Sequence, residues 1–456
     1  MLTTIWNKMF GSKKSVVKSS RHESSFRVLR LTPHYYYPQL ADEGWPIRFD
    51  PIGGMQVQIS QLSESMLSHP VEQTVMTLGL PNVPKHWRYH DRLEVFGAGL
   101  PMLPIKSEIR GTVGLNQYWG IGTILKIIKL YTTGQRKWDL LHSHCSGVLT
   151  PLVVGVVASK LLRVPLVFTI HCSRLATYHP MSRLDGWLHP LIIKLEKVCL
   201  RRAQHVITLT PRVRTAYLQE NVLPPSRISV ISDAVDPKTL QSFVTSKAIE
   251  EFHEQYKVPL DKNIILFVGR VAHEKGWFHF VDLAKRLQEQ GEGEFHFLIC
   301  GDGNHSKKLR KRVQDAGLEN SFSITGFISH EKIPVAMKMA KMVVVPSLHE
   351  ELGGTVLESV SMQVPVLAFA VGGIPNIIEH RKSGWLVEYG DLDGLVEGAN
   401  WILQHPEQAE AMSRKALEVL EEYEIESIVE KHVQLYRLAN TGTAQTTDRR
   451  LPTSIL

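Results

Sequence analysis

The sequence predicts an α/β protein built from two domains, each a parallel sheet covered by helices on both faces, and three observations carry that expectation. From Phe26 onward, short β-branched runs alternate with longer helical segments, the pattern of a parallel sheet covered by helices on both faces. The runs fall into two successive series, separated by the polar Asp-Ala-Val-Asp-Pro turn within Ser232–Pro237. The length, 456 residues, is enough for two or three domains, each with its own core.

In the first series the expected strands are Phe26–Leu31, Gln73–Leu78, Leu140–His144, Leu166–Ile170, His205–Leu209 and Ile228–Ile231. Helices are expected near Met55–Leu67, Val148–Leu162 and Leu191–Arg202. The second series begins at Ile264–Val268 and continues through Phe295–Ile299, Phe322–Thr325, Met342–Val345 and Val366–Phe369. Pro406 is placed to start a helix toward Tyr423. The resulting division is a basic extension over 1–25, domains over 26–236 and 237–425, an amphipathic helix over 426–439 packing back on the first domain, and a polar, Thr-rich tail over 440–456 expected to be disordered.

Hydrophobic residues make up 43% and charged residues 21%, which excludes a wholly disordered, collagen-like or coiled-coil chain. The net charge of +7 hints at nucleic acid or an anionic surface, but its location removes the hint. Lys8, Lys13, Lys14, Lys18, Arg21, Arg27 and Arg30 against Glu23 alone put nearly all of it in the first 30 residues. Nucleic acid is therefore not an expected partner. Leu2, Ile5, Trp6 and Met9 have helical spacing beside Lys8, which suits either a short membrane-surface helix or, as adopted here, a loose basic extension. The most apolar stretch, Val148 to Phe168, is interrupted by Lys160 and Arg163, so no transmembrane segment is expected; it reads as a buried helix followed by a strand. Four widely spaced cysteines, Cys145, Cys172, Cys199 and Cys300, do not form a disulfide framework, and a reducing cytoplasm fits best.

The stretch Ile264-Ile-Leu-Phe-Val-Gly-Arg-Val-Ala-His-Glu-Lys-Gly276 is a strand, a glycine turn and two cations just ahead of a helix. Arg270 and Lys275 can converge on one anion there, such as a diphosphate, where free backbone N–H groups also favour negative charge. The alternative is that Arg270 pairs with a nearby carboxylate and Lys275 is solvated. The second constellation is Val343-Val-Val-Pro-Ser-Leu-His-Glu-Glu-Leu-Gly-Gly-Thr-Val-Leu-Glu358. Glu350 lies ahead of the helix and Glu358 inside it, so one can address a ligand's sugar and the other a ribose. Gly353, Gly354 and Thr355 supply close-approach amides for the phosphates between them.

Taken in order, Gly269-Arg-Val-Ala-His-Glu-Lys-Gly276, Gly301-Asp-Gly303, Pro346-Ser347, the Glu350 to Glu358 spacing, Pro365-Val366 and Gly372-Gly373 resemble the retaining, two-Rossmann-domain (GT-B) glycosyltransferases of the family 4 type. The resemblance covers most of Phe26–Ala439 and implies two Rossmann-like, doubly wound parallel-sheet domains facing across a cleft, an acceptor domain followed by a nucleotide-sugar donor domain. It assigns the donor diphosphate to Arg270 and Lys275, the ribose to Glu358 and the transferred sugar to Glu350. It also places Gly301 in the donor site, Gly53-Gly54 as a glycine loop approaching the diphosphate from the first domain, and His171 facing the donor sugar.

A narrower resemblance rests on Leu29-Arg-Leu-Thr-Pro-His34, Trp45-Pro46, Phe49-Asp-Pro-Ile-Gly-Gly-Met-Gln-Val-Gln-Ile59, Gly114-Leu-Asn-Gln117, the run from His171 to Asp185, and His349-Glu-Glu-Leu-Gly-Gly354. These stretches resemble the 2-deoxystreptamine N-acetylglucosaminyltransferases of aminoglycoside antibiotic biosynthesis. That implies UDP-GlcNAc as co-substrate and 2-deoxystreptamine as acceptor, giving N-acetylparomamine, with glucose as the alternative sugar. A diaminocyclitol is cationic near neutral pH, so its site should offer carboxylates. Asp42, Glu43, Asp50 and Asp185 are candidates, each equally readable as an ordinary loop or helix-cap acid. Tyr35, Tyr36, Tyr37 and Trp45 suit either an apolar wall under the ring or core packing.

Other classes fit less well. His142, His144, Cys145, His171 and Cys172 suggest a metal site, yet lack ordinary structural-zinc spacing, so neither metal nor cofactor is expected. A dehydrogenase needs G-x-G-x-x-G, and Gly301-Asp-Gly303 is followed by Ser306 where the third glycine belongs. A non-catalytic nucleotide-binding module stays open. The resemblance implies retention at the anomeric carbon, and with no carboxylate nucleophile placed, the expected chemistry is same-face substitution with Arg270, Lys275 and backbone amides stabilising the departing diphosphate.

Overall fold

A computed structural model describes residues 26–36, 54–79, 85–98, 115–178, 180, 183–291 and 294–441. Its first sheet holds β1 (Phe26–Leu31), β2 (Val71–Leu78), β3 (His86–His90), β4 (Leu93–Ala98), β5 (Leu140–Ser146), β6 (Leu166–Cys172), β7 (His205–Thr208) and β8 (Ile228–Val230). Their order is β3-β4-β2-β1-β5-β6-β7-β8, parallel throughout except for the β3–β4 pair. In register, Val28 of β1 lies between Gln73 of β2 and Leu140 of β5. Strands so covered on both faces need continuous apolar runs. Val28, Leu29 and Leu31 meet that need and are fully buried.

The second sheet holds β9 (Asn263–Val268), β10 (Phe295–Cys300), β11 (Phe322–Gly326), β12 (Met342–Val345), β13 (Val366–Phe369) and β14 (Trp385–Val387). All are parallel, in the order β11-β10-β9-β12-β13-β14. From β9 the chain winds outward to β10 and β11, then returns to the other side of β9 with β12. That reversal opens a crevice beyond the C-terminal ends of β9 and β12, where α/β sheets place their ligands.

The first sheet separates two layers. Leu29, Leu31, Leu141 and Phe168 face helices Leu115–Thr132, Leu149–Leu162 and Arg183–Leu200. Val28, Leu140, Val167 and Ile207 face the other way, against the last helix, Ile425–Asn440, through Ile428, Val429 and Tyr436. That helix follows the second domain yet is covered by the first sheet. The chain thus crosses between the domains twice, and the crossings meet where the Val235 amide donates to the Tyr423 carbonyl at 2.9 Å. Burying each of these large apolar side chains stabilises the docking by roughly 1.5–3 kcal/mol.

The differences from the sequence reading have local causes. The β3–β4 hairpin was not anticipated, since His86-Trp-Arg-Tyr-His90 is polar and alternately exposed, as an edge strand can be. The helix expected at Leu191–Arg202 already starts at Arg183 and runs through Pro190, which sits on its exposed side. Pro406 starts an α-helix that ends at Lys415, and 3₁₀ turns complete the path to Tyr423. The Leu149–Leu162 helix is buried on one side only: Val153, Val157 and Leu161 are exposed.

Candidate active site

Three loops meet at the crevice of the second sheet. Gly276 has φ 63°, and a Cβ there would lie 1.7 Å from the Pro346 carbonyl oxygen, so only glycine lets the β9 loop touch the β12 loop. The Leu348 amide then donates to the Glu274 carbonyl at 2.8 Å. This contact brings Lys275 Nζ to 2.6 Å from Glu350 Oε1, which also accepts from Ser347 Oγ at 2.8 Å. The loop after β13 closes the other side: Gly372 has φ 57°, and a Cβ would meet the Glu350 carbonyl oxygen at 1.6 Å. Glu350 is thus fixed from both backbone and side chain.

The helix Gly354–Ser361 starts directly behind it, after Gly353 with φ 104° and no side-chain cap. Nothing stands within 4 Å of where a Gly354 Cβ would point, and although the Val356 amide turns back to the Gly353 carbonyl at 2.9 Å, the amides at the very start of a helix favour an anion. Glu358, further along this helix, accepts from His330 Nε2 at 2.8 Å. Burial alone would push the His330 imidazole down, but Glu358 and Glu331 outweigh it and raise its pKa. Arg270 reaches Glu274 at 2.8 Å in a half-exposed, solvent-screened pair from which it can turn to a ligand. A Cβ on Gly301 would lie 1.9 Å from the Gly269 carbonyl oxygen, so Gly301 shapes the turn that carries Arg270.

The facing wall comes from the first domain and is organised by a buried cation. The Arg30 guanidinium, fully buried on β1, donates through one nitrogen to His142 Nδ1 at 3.3 Å and His144 Nε2 at 3.0 Å, and through the other to Gln73 at 2.9 Å. A guanidinium only donates, so His144 Nε2 accepts and its proton sits on Nδ1. His144 Nδ1 lies 3.1 Å from His171 Nε2, which must accept in turn. His171 therefore carries its proton on Nδ1, which has no hydrogen-bond partner and lies 3.7 Å from Asp233 Oδ1. Burial, reinforced by His432, pushes His171 down to about 3 and keeps it neutral. Tyr436, from the returning helix, brings its hydroxyl to His142 Nδ1 at 2.6 Å.

Asp233 is pushed up to about 7 by burial and by Glu351. Burial also raises Glu351, whose Oε1 accepts from Thr210 of the first domain at 3.2 Å and whose Oε2 is buried without a partner. Next to Asp233 lies a small pocket lined by Gln58, His144, His171, Ser232, Asp233 and His432. Tyr36 spans the same divide, its hydroxyl donating to Glu331 at 3.4 Å.

The structure thus joins Lys275 to Glu350, keeps Arg270, Gly353, Gly354, Thr355 and Glu358 around one crevice, and sets His171 on the wall that carries Asp233. Gly54 opens the helix Gly54–Ser65; Gly53, Asp42, Glu43, Asp50, Tyr37 and Trp45 lie outside the described residues. Asp185 is not available to an acceptor. It is 1% exposed, with one oxygen 2.7 Å from Arg174 and the other accepting from Tyr178 at 2.6 Å. Tyr35 packs in the core with Ile59 and Val75. A metal at His142 and His144 would need the lone pairs that Arg30 occupies, and among the described residues no group of three or more His, Cys, Asp or Glu could hold one. Sequence reading missed Arg30, Asp233, His330, Ser347 and Glu351 as site residues. Of these, Asp233 lies in the turn between the two strand series, and Arg30, Ser347 and Glu351 lie in stretches that carry the resemblances without a role of their own; His330 carried no signal.

Two doubly wound sheets with anion-binding loops at a switch point and a second wall across a cleft define a GT-B transferase. Family models agree: a glycosyl transferase 4-like domain matches residues 53–234, and glycosyl transferases group 1 matches residues 248–419. A 2-deoxystreptamine N-acetyl-D-glucosaminyltransferase of Streptomyces fradiae is 38% identical over 419 residues, 91% of this chain and 97% of that one. A 2-deoxystreptamine glucosyltransferase of Streptomyces kanamyceticus is 36% identical over 77% of this chain and 90% of its own. Among solved structures, sucrose-phosphate synthase of Thermosynechococcus elongatus superposes with a TM-score of 0.73 at 22% identity, covering 91% of this chain and 98% of that one. The chain belongs to this glycosyltransferase family and is an enzyme. Among the described residues no helix is long and apolar enough to cross a membrane.

Proposed function

We propose that this glycosyltransferase moves N-acetylglucosamine from UDP-GlcNAc to 2-deoxystreptamine with retention, giving N-acetylparomamine. The observation that carries the reading is the 38% identity with the Streptomyces fradiae enzyme over nearly the full length of both chains. The diphosphate lies at the start of the Gly354–Ser361 helix, held by its free amides, Arg270 and Lys275. Glu358 takes the ribose hydroxyls, and Glu350, held by Lys275 and Ser347, takes the sugar. From the other wall the His171 Nδ1–H donates to a sugar hydroxyl, in the tautomer that Arg30 imposes.

As the C1–O bond to the diphosphate breaks, Arg270, Lys275 and the helix amides stabilise the charge on the leaving group. The acceptor hydroxyl attacks C1 from the same face, and its proton passes to a departing phosphate oxygen. Closing the two walls excludes water and orients the acceptor. Asp233 and Glu351, each raised by burial and set against one another, take an ammonium of the acceptor, which relieves their mutual repulsion. The cations on the leaving group make a metal unnecessary.

The test is to incubate purified protein with 2-deoxystreptamine and either UDP-GlcNAc or UDP-glucose, then determine product mass and anomeric configuration. An α-linked N-acetylglucosaminide is expected. A glucoside alone would favour the second reading, supported by the Streptomyces kanamyceticus relative, and an inverted product would overturn same-face substitution.

A further inference from the structure

Three helices on the outer face of the first sheet, Leu115–Thr132, Leu149–Leu162 and Arg183–Leu200, pack side by side; Gly120 of the first abuts Thr150 and Val154 of the second. A helix covering a sheet normally turns its apolar stripe inward and its charges outward. These three are apolar on both sides. Ile121 and Leu125, Val153 and Val157, and Trp187 and Leu191, at one-turn spacing, point to solvent, with Leu125 53%, Leu191 55% and Trp187 77% exposed. Patches of this kind mark an interaction surface.

The charge on the face identifies its partner. The first two helices contain no acid, and the third holds only Asp185 and Glu196. Both are buried, Asp185 against Arg174 and Tyr178, and Glu196 under Ser173 and Tyr217. Exposed Lys129, Lys160, Arg163 and Lys194 stand among the apolar side chains. We infer that this face docks the enzyme on the surface of an anionic lipid bilayer, the apolar side chains entering the headgroup boundary and the cations meeting lipid charges. A second copy of the chain would set cations against cations, and the N-terminal extension, itself strongly basic, would be repelled in the same way. Against an anionic bilayer that extension adds attraction. The relay of Arg30, His144 and His171 lies on the opposite side of the sheet, so docking leaves the cleft free.

The experiment is flotation of the full chain with vesicles of phosphatidylglycerol and phosphatidylcholine in equal amounts, and with phosphatidylcholine alone. The protein is expected to float with the anionic vesicles, to stay below with the neutral ones, and to be released by high salt. The triple variant Leu125→Gln, Trp187→Gln, Leu191→Gln leaves the net charge unchanged and touches no core residue. Its bound fraction is expected to fall at least tenfold with circular dichroism and thermal midpoint unaltered. Failure of the natural chain to float with anionic vesicles, or equal flotation of the folded triple variant, overturns the inference. So does sedimentation showing a dimer that the triple variant dissociates, which would assign the face to a second copy.

Discussion

The two walls of the cleft solve the same problem, fixing polar groups at a reacting centre, by opposite means. In the second domain the fixing is done by backbone. Gly276 and Gly372 allow three loops into contact, and Lys275 and Glu350 then pair at 2.6 Å while still partly open to solvent. In the first domain it is done by burial. Arg30, His144 and His171 form a chain of donors and acceptors inside the sheet that ends on His171 Nδ1, beside Asp233. The first arrangement leaves charges free to exchange partners with a ligand. The second fixes a proton before the ligand arrives, and its members hold the core together as well.

If this contrast is right, substitutions in the second domain should change turnover more than stability. Glu350→Gln should lower kcat by roughly 10²-fold or more, because one preorganised contact to the reacting sugar is lost. Glu358→Gln should mainly raise the donor KM, since the ribose is held alike in ground and transition states. Steady-state kinetics on the two folded variants decide it, and identical behaviour would contradict the assignment.

In the first domain the order should reverse. Arg30→Met leaves His144 Nε2 and the Gln73 side-chain oxygen buried without their donor, and should cost roughly 2–4 kcal/mol in urea unfolding. UDP binding by the variant that still folds should stay unchanged.

A smaller effect is expected in the pH dependence of the acceptor. Asp233 titrates near about 7, so it is ionised, and attractive to an ammonium, only above that pH. The acceptor KM should fall as pH rises through about 7, and Asp233→Asn should flatten the profile. Stability should run the other way. A carboxyl raised in the folded state binds its proton more tightly there, so this group's contribution is lost as pH rises through about 7.

The smallest effect is none at all: removing residues 1–24 and adding EDTA should each leave the transfer rate within about twofold, since the cations of the site stabilise the leaving group. Loss of activity in EDTA, restored by a divalent ion, would move the contrast toward metal chemistry.

How much of this could be read from the residues follows the same division. The second-domain site was legible because each half is one strand, one turn and one helix start, as in Gly269–Gly276 and Pro346–Glu358, with the chemistry local in sequence. The relay was not. Arg30 lies on β1, His144 on β5, His171 on β6 and Tyr436 on the last helix, and only the order of strands brings them together. Arg30 therefore counted as part of a basic segment and of one stretch of the narrower resemblance, with no role assigned, and His144 suggested a metal. Asp185 shows the limit from the other side, because an acid in a helix start looks the same whether it meets a ligand or, as here, a buried arginine. Strand positions were readable from apolar runs, whereas the polar edge strand β3 and the three-residue β14 carried too little pattern.

The most direct measurement of the division between the walls is calorimetric titration of UDP into the natural chain, Lys275→Ala and Asp233→Asn. The natural chain and Asp233→Asn should bind UDP alike, and Lys275→Ala should bind at least about tenfold more weakly, as expected for loss of one charge-assisted contact. Absence of UDP binding by the natural chain, or equal weakening in Asp233→Asn and Lys275→Ala, would contradict the account.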